Sequence, residues 1–261
     1  MSSPSSRSHN DVVRDSFTQQ AGLFTGENAV FARRTASPTA WVEPLDRDMT
    51  VLDVACGAAH VAEQIAPYVH QVIGIDLTPA LLQAGHERLG TAGIKNVLLQ
   101  EGDALDLPFV DGSFDLVVCR SSLHHMPDPG ASLDEMARVC RPDGRVVIAD
   151  MIVPSVDVRD AFDELHRTID PSHVHALVEQ EIAELLHERV GALSYGETNT
   201  ISLPIDVILT SAADSPAALA MLERELNGGA ATGFAPVRDD DQIKVSFSST
   251  VVHASRAASS A

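Results

Sequence analysis

Positive charge is scarce in this sequence. Its 261 residues include 18 Lys and Arg against 37 Asp and Glu, which gives a formal net charge of −19 with histidine neutral. A surface this acidic is repelled by phosphate backbones and by anionic lipid headgroups. The composition therefore argues against a nucleic acid or a membrane surface as the partner.

Long apolar runs and cysteines are also scarce. No stretch approaches the ~18–20 apolar residues that a membrane-spanning helix needs. The Ser-rich start lacks the apolar core of a secretory signal. Cys56, Cys119 and Cys140 are odd in number and far apart, which favours reduced packing residues over a disulfide framework. We expect a soluble, cytoplasmic protein that is a monomer or a homodimer.

The first 155 residues alternate short apolar runs with helical stretches. Continuous short apolar runs are typical of strands that are buried on both faces. Thr78 and Ser132 are placed to cap two of the intervening helices, and Pro79 suits a first helical position. This alternation predicts a parallel sheet with helices on both faces. The five predicted strands are TVLDVA (50–55), QVIGID (71–76), NVLLQ (96–100), FDLVVC (114–119) and RVVIAD (145–150).

A different pattern follows residue 150. Amphipathic helices are predicted at 157–170, 175–190 and 215–227, and two late strands at 195–203 and 242–255. The two late strands are expected to form an antiparallel edge on the parallel sheet. The fold prediction is a Rossmann-like, doubly wound α/β fold with a seven-stranded, mostly parallel sheet, an antiparallel edge strand and helices on both faces.

The predicted strands end in residues that a ligand could use. Ligands of open parallel sheets bind beyond the carboxyl ends of the strands. The first strand runs into a turn of small residues, CGAAHV (56–61), which does not match the G-x-G-x-x-G fingerprint of a dinucleotide-binding oxidoreductase. With the acidic Asp53 beside it, the turn suits a molecule that carries an ammonium and a sulfonium. Asp76 ends the second strand, where a carboxylate can accept hydrogen bonds from a ribose diol.

Four stretches, in this order and spacing, resemble the class I S-adenosylmethionine-dependent methyltransferases. The branch they resemble is the small-molecule one that includes ubiquinone- and menaquinone-biosynthesis enzymes (methyltransferase type 11). The resemblance implies S-adenosylmethionine as the cofactor and methylation of a small-molecule acceptor on oxygen, nitrogen or carbon, with aromatic or quinone-like metabolites among the candidates. The stretches are VLDVACGAAHVA (51–62), VIGIDLTPALL (72–82), VLLQEGDALDLPFVDGSFDLVVCRSSLHHMPDP (97–129) and EMARVCRPDGRVVIAD (135–150).

The resemblance also implies which residues hold the cofactor. The first motif would cradle its methionine part, Asp76 its ribose, and Asp103 with Ala104 its adenine. The family usually has glycine where this chain has Ala59, and a side chain there is expected to fit only if the local φ is negative. The implied cofactor-binding residues are Asp53, Ala55, Gly57, Asp76, Leu77, Asp103, Ala104, Cys119 and Arg120.

His124 and His125 follow the fourth strand and are the candidates for acid–base chemistry. A hydroxyl or carbon-acid acceptor must lose a proton, and a histidine that titrates near neutrality can take it. In similar O-methyltransferases such a histidine acts with an acid at the end of the fifth strand, which Asp150 matches. The alternatives are that His124 packs or caps and that Asp150 caps a loop. Adjacent histidines on a short loop are not expected to point the same way, so one of them is expected to be structural.

The stretch DPSH (170–173) allows two interpretations. Pro171 is predicted to open a helix with His173 in its first turn, either as a capping segment or as a lid whose His173 contacts the substrate. The spacings of His166, His173, His175 and His187 fit no compact zinc motif, so no metal site is predicted.

The expected domain layout has three parts. Residues 1–45 form an N-terminal helical cap, 46–155 the S-adenosylmethionine-binding core, and 156–261 a helical acceptor-pocket segment with the final strands of the same domain. The alternative function is a non-catalytic S-adenosylmethionine-binding protein, a regulator or accessory subunit, which the Ala59 departure keeps open.

Overall fold

A computed structural model describes residues 8–25, 39–209, 212–240 and 242–257. One sheet organises them, in the order β3-β2-β1-β4-β5-β8-β6, with the short β7 paired to β8. The first five strands pair in parallel, and β8 runs antiparallel to both β5 and β6. The predicted Rossmann-like, mostly parallel sheet with an antiparallel edge region is confirmed. The strands are β1 Thr50–Val54, β2 Gln71–Asp76, β3 Val97–Glu101, β4 Phe114–Arg120, β5 Cys140–Ile152, β6 Gly191–Pro204, β7 Val237–Asp239 and β8 Gln242–Arg256.

Two helices have a proline at the first helical position. The helix α3 begins at Pro79 as predicted, but Thr78 occupies the N-cap position without a side-chain hydrogen bond to the helix. The start of α4 lies earlier than predicted, because Asp128 rather than Ser132 caps it: the Ala131 amide donates to Asp128 Oδ1 at 2.9 Å. The helices are α1 His9–Thr25, α2 His60–Ile65, α3 Pro79–Thr91, α4 Pro129–Val139, α5 Arg159–Ile169, α6 Glu179–Arg189, α7 Ile205–Leu209 and α8 Ser215–Leu226.

Two apolar cores cover the two faces of the sheet. Successive residues of β1 point to opposite faces: Val51 belongs to the core that contains α2 and α3 residues. Its neighbour Leu52 belongs to the core that contains α4 and α6 residues. Helices therefore cover both faces, as predicted.

A third core holds the segment that follows β5. It starts at Val153 and joins α5, α7 and α8 with the first half of β8, around Phe162, Leu222 and Val245. Because it begins where β5 ends, this segment lies at the carboxyl edge of the sheet. No helix in the described ranges is both long and apolar enough to cross a bilayer.

The segments before β1 and after α5 differ in part from the prediction. Pro171 does not open a helix: residues 170–178 form a turn and an extended stretch, and α6 begins only at Glu179. One or two helices were expected within 11–43, and the structure has α1 and a short 3-10 helix, Ala40–Val42. Residues 26–38 of that stretch lie outside the described residues.

Candidate active site

Asp76, at the end of β2, fixes the turn that follows β1. The Gly57 amide donates to Asp76 Oδ2 at 2.8 Å, and the Thr78 amide donates to Oδ1 at 2.8 Å. Burial raises the pKa of this carboxyl, and the two amides act against the rise. A carboxylate has about four acceptor positions, so both oxygens retain capacity for the hydroxyls of a ribose.

Asp53, inside β1, carries a polar atom without a partner. The residue is 1% exposed, and its Oδ2 has no hydrogen-bond partner among the residues that the structure describes. Burial raises its pKa to about 7, the Arg120 guanidinium opposes that rise, and Asp76 adds to it. Buried polar atoms are almost always hydrogen-bonded. An orphaned carboxylate oxygen at this edge therefore fits a cationic group of the cofactor.

The turn between β1 and α2 holds two alanines in the left-handed region. The φ angles are 54° at Ala55, 54° at Gly57 and 61° at Ala59. The expectation that Ala59 requires a negative φ is wrong. The turn keeps a conformation that favours glycine, at a cost of about 1–3 kcal/mol for each non-glycine residue.

Helix α1 contacts two of the predicted cofactor-binding residues, Asp103 and Leu77. Asn10 Nδ2 donates to Asp103 Oδ2 at 2.8 Å, and Arg14 Nε donates to the Leu77 carbonyl at 3.0 Å. The Leu105 amide donates to the other Asp103 oxygen, Oδ1, at 2.9 Å. Sequence reasoning missed Asn10 and Arg14, because nothing in a single amphipathic helix shows which loops it will cover.

Three other predicted cofactor residues lie at the same edge. The Cys119 side chain is fully buried in the core, so only its backbone is available to a ligand. Arg120 ends β4, and burial lowers its pKa while Asp53 opposes that change. Ala104 is partly buried and packs against the core beneath it.

Asp150, inside β5, organises the loop that carries the histidine pair. His124 Nδ1 lies 2.5 Å from Asp150 Oδ1. The Ser122 and Leu123 amides donate to Oδ2 at 3.0 and 2.5 Å, so Asp150 both caps the loop and orients the ring. Burial alone would raise the pKa of Asp150, but His124 and the backbone amides hold it below its ordinary value.

His125 lies beside His124 rather than pointing away from it. The two ring centroids are 4.1 Å apart, so the expectation that the rings diverge is wrong. His125 Nδ1 is 3.1 Å from Ser172 Oγ, and Phe17 of α1 contacts the ring edge-on. Burial and His124 lower the pKa of His125 to about 3, so this ring is neutral.

The segment 170–173 packs against the histidine pair. Asp170 Oδ1 accepts from Ser172 Oγ at 2.6 Å and from Ser16 Oγ of α1 at 2.9 Å. The buried His173 bonds through Nε2 to Asp163 Oδ1 at 2.7 Å. Backbone amides 174 and 175 donate to the His124 carbonyl. His173 is thus beside the predicted catalytic residues, although it is not on a helix.

A third histidine completes a buried cluster. His124, His166 and His173 each place one ligand-capable nitrogen within 4.8 Å of the other two. The His166 and His173 rings stack at 4.2 Å. Burial and neighbouring histidines lower the pKa of His166 well below its ordinary value. The sequence spacing did not reveal this cluster, because its members come from three separate elements.

Comparison with known proteins identifies the family. The family model for the methyltransferase domain matches residues 45–191, which is more than half of the chain. The chain belongs to the methyltransferase-domain family. The cofactor of this family is S-adenosylmethionine, in agreement with the resemblance and with the orphaned carboxylate at Asp53.

Curated relatives match part of the chain. An uncharacterized methyltransferase of Bacillus subtilis, YcgJ, is 36% identical over 156 residues, 59% of this chain and 61% of YcgJ. Demethylmenaquinone methyltransferase of Listeria welshimeri is 38% identical over 132 residues, 49% of this chain and 56% of that enzyme. The chain spans about three-fifths of the length of the curated relatives it matches.

Solved structures agree on the fold. The crystal structure of YcgJ superposes with a TM-score of 0.74 at 25% identity, over 82% of this chain and 94% of YcgJ. A Bacillus halodurans protein, BH2331, superposes with a TM-score of 0.78 at 24% identity, over 85% of this chain and 100% of that chain. The second likeness supports the fold alone.

Proposed function

We propose that this protein transfers a methyl group to a small molecule, with His124 as the proton acceptor when the acceptor atom is a hydroxyl oxygen or an acidic carbon. One observation carries the proposal: His124, oriented by Asp150 at 2.5 Å, follows the strand that ends beside Asp53 of the cofactor motif. When bound, S-adenosylmethionine supplies a methyl group on a positively charged sulfur, which needs no further activation as a leaving group.

The residues of the cofactor site hold the donor in place. Asp76 would hold the ribose hydroxyls, Asp103 and Ala104 the adenine, and Asp53 the ammonium of the methionine part. Such fixed positioning of two reactants supplies up to about 7–11 kcal/mol of rate enhancement. The remaining work of the protein is to remove water and the acceptor's proton.

The two histidines would have different roles in the reaction. His124 Nδ1 faces Asp150, which leaves Nε2 as the nitrogen that can take a proton. Burial and the neighbouring His124 lower the pKa of His125, which makes its ring a weak base. His125 is also hydrogen-bonded to Ser172, so it would orient the acceptor rather than take its proton. His173 borders the same space and would contact the acceptor.

The layout of the chain follows from these assignments. Residues 1–45 would act as a cap over the cofactor, 46–155 as the binding core, and 156–261 as the acceptor-pocket segment. The proposed acceptor has apolar or aromatic surface, such as a phenol or a quinol, whose hydroxyl would lose its proton to His124.

Binding and turnover separate this proposal from a protein that only binds the cofactor. Calorimetry with S-adenosylhomocysteine should show binding, and Asp76→Asn should weaken it about 10–100-fold, since hydrogen bonds to charged groups are worth about 1.5–3 kcal/mol. The exposed Asp48 gives a matched control, Asp48→Asn, which should bind normally. Transfer of labelled methyl should then be measured on a panel of phenols, quinols and amines. Tight binding without product on any member of the panel would contradict methyl transfer.

A further inference from the structure

We propose that His124, His166 and His173 form a binding site for one divalent transition-metal ion that prefers imidazole ligands, with Zn²⁺ as the representative. One nitrogen of each ring lies within 4.8 Å of those of the other two. All three residues are less than a tenth exposed. Three protein ligands with a fourth position open is the arrangement of catalytic zinc sites.

Nitrogens without partners converge in this cluster. His166 Nδ1 and His173 Nδ1 are buried and have no hydrogen-bond partner among the described residues. Buried polar atoms are almost always hydrogen-bonded, so two unpaired nitrogens in one buried cluster are unusual for a core built only for packing. A cation would satisfy both of them.

Two of the three rings are hydrogen-bonded to carboxylates. His124 bonds Asp150 through Nδ1, and His173 bonds Asp163 through Nε2 at 2.7 Å. Histidines that bind metal usually donate their other ring nitrogen to a carboxylate, which fixes the tautomer and directs the free lone pair toward the ion. The nitrogens that remain are Nε2 of His124 and Nδ1 of His173, and a metal ion would bind these two atoms.

Binding of one ion by all three rings would require one ring to change its orientation. Zinc–nitrogen bonds of about 2.0–2.1 Å require nitrogens about 3.3 Å apart in a tetrahedral site. The His166 and His173 rings stack with their planes only 12° apart, and two parallel rings cannot both hold one ion in their planes. His173 is fixed by Asp163. The ring that turns is His166, whose Nδ1 no hydrogen bond holds.

The proposed site has a consequence for turnover that rests on the function proposed above. One nitrogen of His124 cannot hold an ion and accept a proton at the same time. A loaded site should therefore suppress transfer to acceptors that must lose a proton, and a chelator should restore it. The binding of the ion does not depend on this consequence and is measured without turnover.

The direct test uses the full chain without an affinity tag, stripped of metal with a chelator. Titration with Co²⁺ should give the visible absorption of a nitrogen-coordinated ion, and calorimetry with Zn²⁺ should give one ion per chain. His166→Phe keeps an aromatic ring beside Phe162 and Phe234, so the variant should keep the fold, and thermal unfolding checks this. The variant should lose the Co²⁺ absorption and bind Zn²⁺ at least 10-fold more weakly.

Two further variants sharpen the result. Asp163→Asn removes the carboxylate behind His173 and should weaken binding about 10–100-fold. His175→Ala removes a histidine that bonds the same carboxylate but has an exposed side chain outside the trio, so it should bind the ion like the wild type. No binding, or equal binding by the wild type and His166→Phe, would overturn the metal site and leave the methyl-transfer proposal standing. Absence of methyl transfer by the metal-free protein, with ion binding intact, would contradict the function proposed above and leave the metal site standing.

Discussion

Ala59 and Gly85 face each other where the turn after β1 meets α3. A Cβ atom on Gly85 would lie 3.1 Å from the Ala59 Cβ and 3.0 Å from Leu99 Cδ1. Ala59 is fully buried, so the methyl group that replaces the family's usual glycine packs against α3. The helix accepts it because the opposite position has no side chain.

Gly85→Ala should destabilise the protein by about 1–3 kcal/mol, the usual cost of overpacking a core. Gly90→Ala is the matched control on the same helix, because nothing lies within 4 Å of a Cβ there; it should stabilise by about 0.5–1 kcal/mol. Adding Ala59→Gly to Gly85→Ala should recover part of the loss. Equal thermal midpoints for both single variants would mean that the contact does not exist.

Ala59→Gly alone should raise stability by up to about 1 kcal/mol, since relief of left-handed strain exceeds the entropy that glycine adds to the unfolded chain. The residue next to it provides the control. Ala58 is buried and does not have a positive φ, so Ala58→Gly should lower stability. Thermal unfolding without cofactor measures both changes, and a midpoint for Ala59→Gly below that of the wild type would contradict the strain.

The fold and the acidic residues at the strand ends could be predicted from the sequence because short stretches of neighbouring residues indicate each of them. Apolar runs mark strands, and the acids that end β2 and follow β3 stand at the edge where parallel strands place ligands. The histidine cluster is not local, because His124 follows β4 and His166 lies on α5, and the folded chain places them together. The left-handed φ of Ala59 could not be predicted for a similar reason. The path of the backbone through the turn sets that angle, and the residue type does not.

The N-cap of α4 is a second feature that capping preferences alone did not predict. Ser132 and Asp128 are both good cap residues, and the sequence alone does not rank them. Pro129 decides between them, because it fits the first helical position and so places the cap at Asp128. The contacts of α1 with Asp103 and Leu77 had no comparable local signal.

The buried Asp53 predicts a pH dependence of stability. Its pKa is about 7 in the folded chain against an ordinary 3.8, so between these values the folded chain keeps a proton that the unfolded chain has lost. The carboxyl therefore stabilises the fold fully below its ordinary pKa, and that contribution is lost as the pH rises through about 7. Asp53→Asn removes this dependence. As the pH rises from about 4 to about 7, the unfolding free energy of the variant should therefore increase relative to that of the wild type.

The same carboxyl should couple cofactor binding to proton release. An ammonium placed against Asp53 favours the ionised form, so S-adenosylhomocysteine should bind more tightly as the pH rises from about 6 to about 7.5. Calorimetry in buffers of different ionisation enthalpy reports the released proton. Asp53→Asn should bind more weakly and release none. Equal proton release by variant and wild type would show that another group is responsible.

The pairing of His124 with Asp150 predicts a defect in turnover that leaves the cofactor site intact. His124→Ala should slow methyl transfer about 10²–10⁴-fold, the range for loss of a general base, while S-adenosylhomocysteine still binds. Added imidazole should restore part of the rate, which a purely structural role would not allow. The exposed His187 supplies the control variant, His187→Ala, whose rate should equal that of the wild type.

Asp150→Asn should also lower the rate of methyl transfer, because the His124 ring loses its orientation. If binding of S-adenosylhomocysteine falls in step with the rate in His124→Ala, the residue shapes the cofactor site and is not the base.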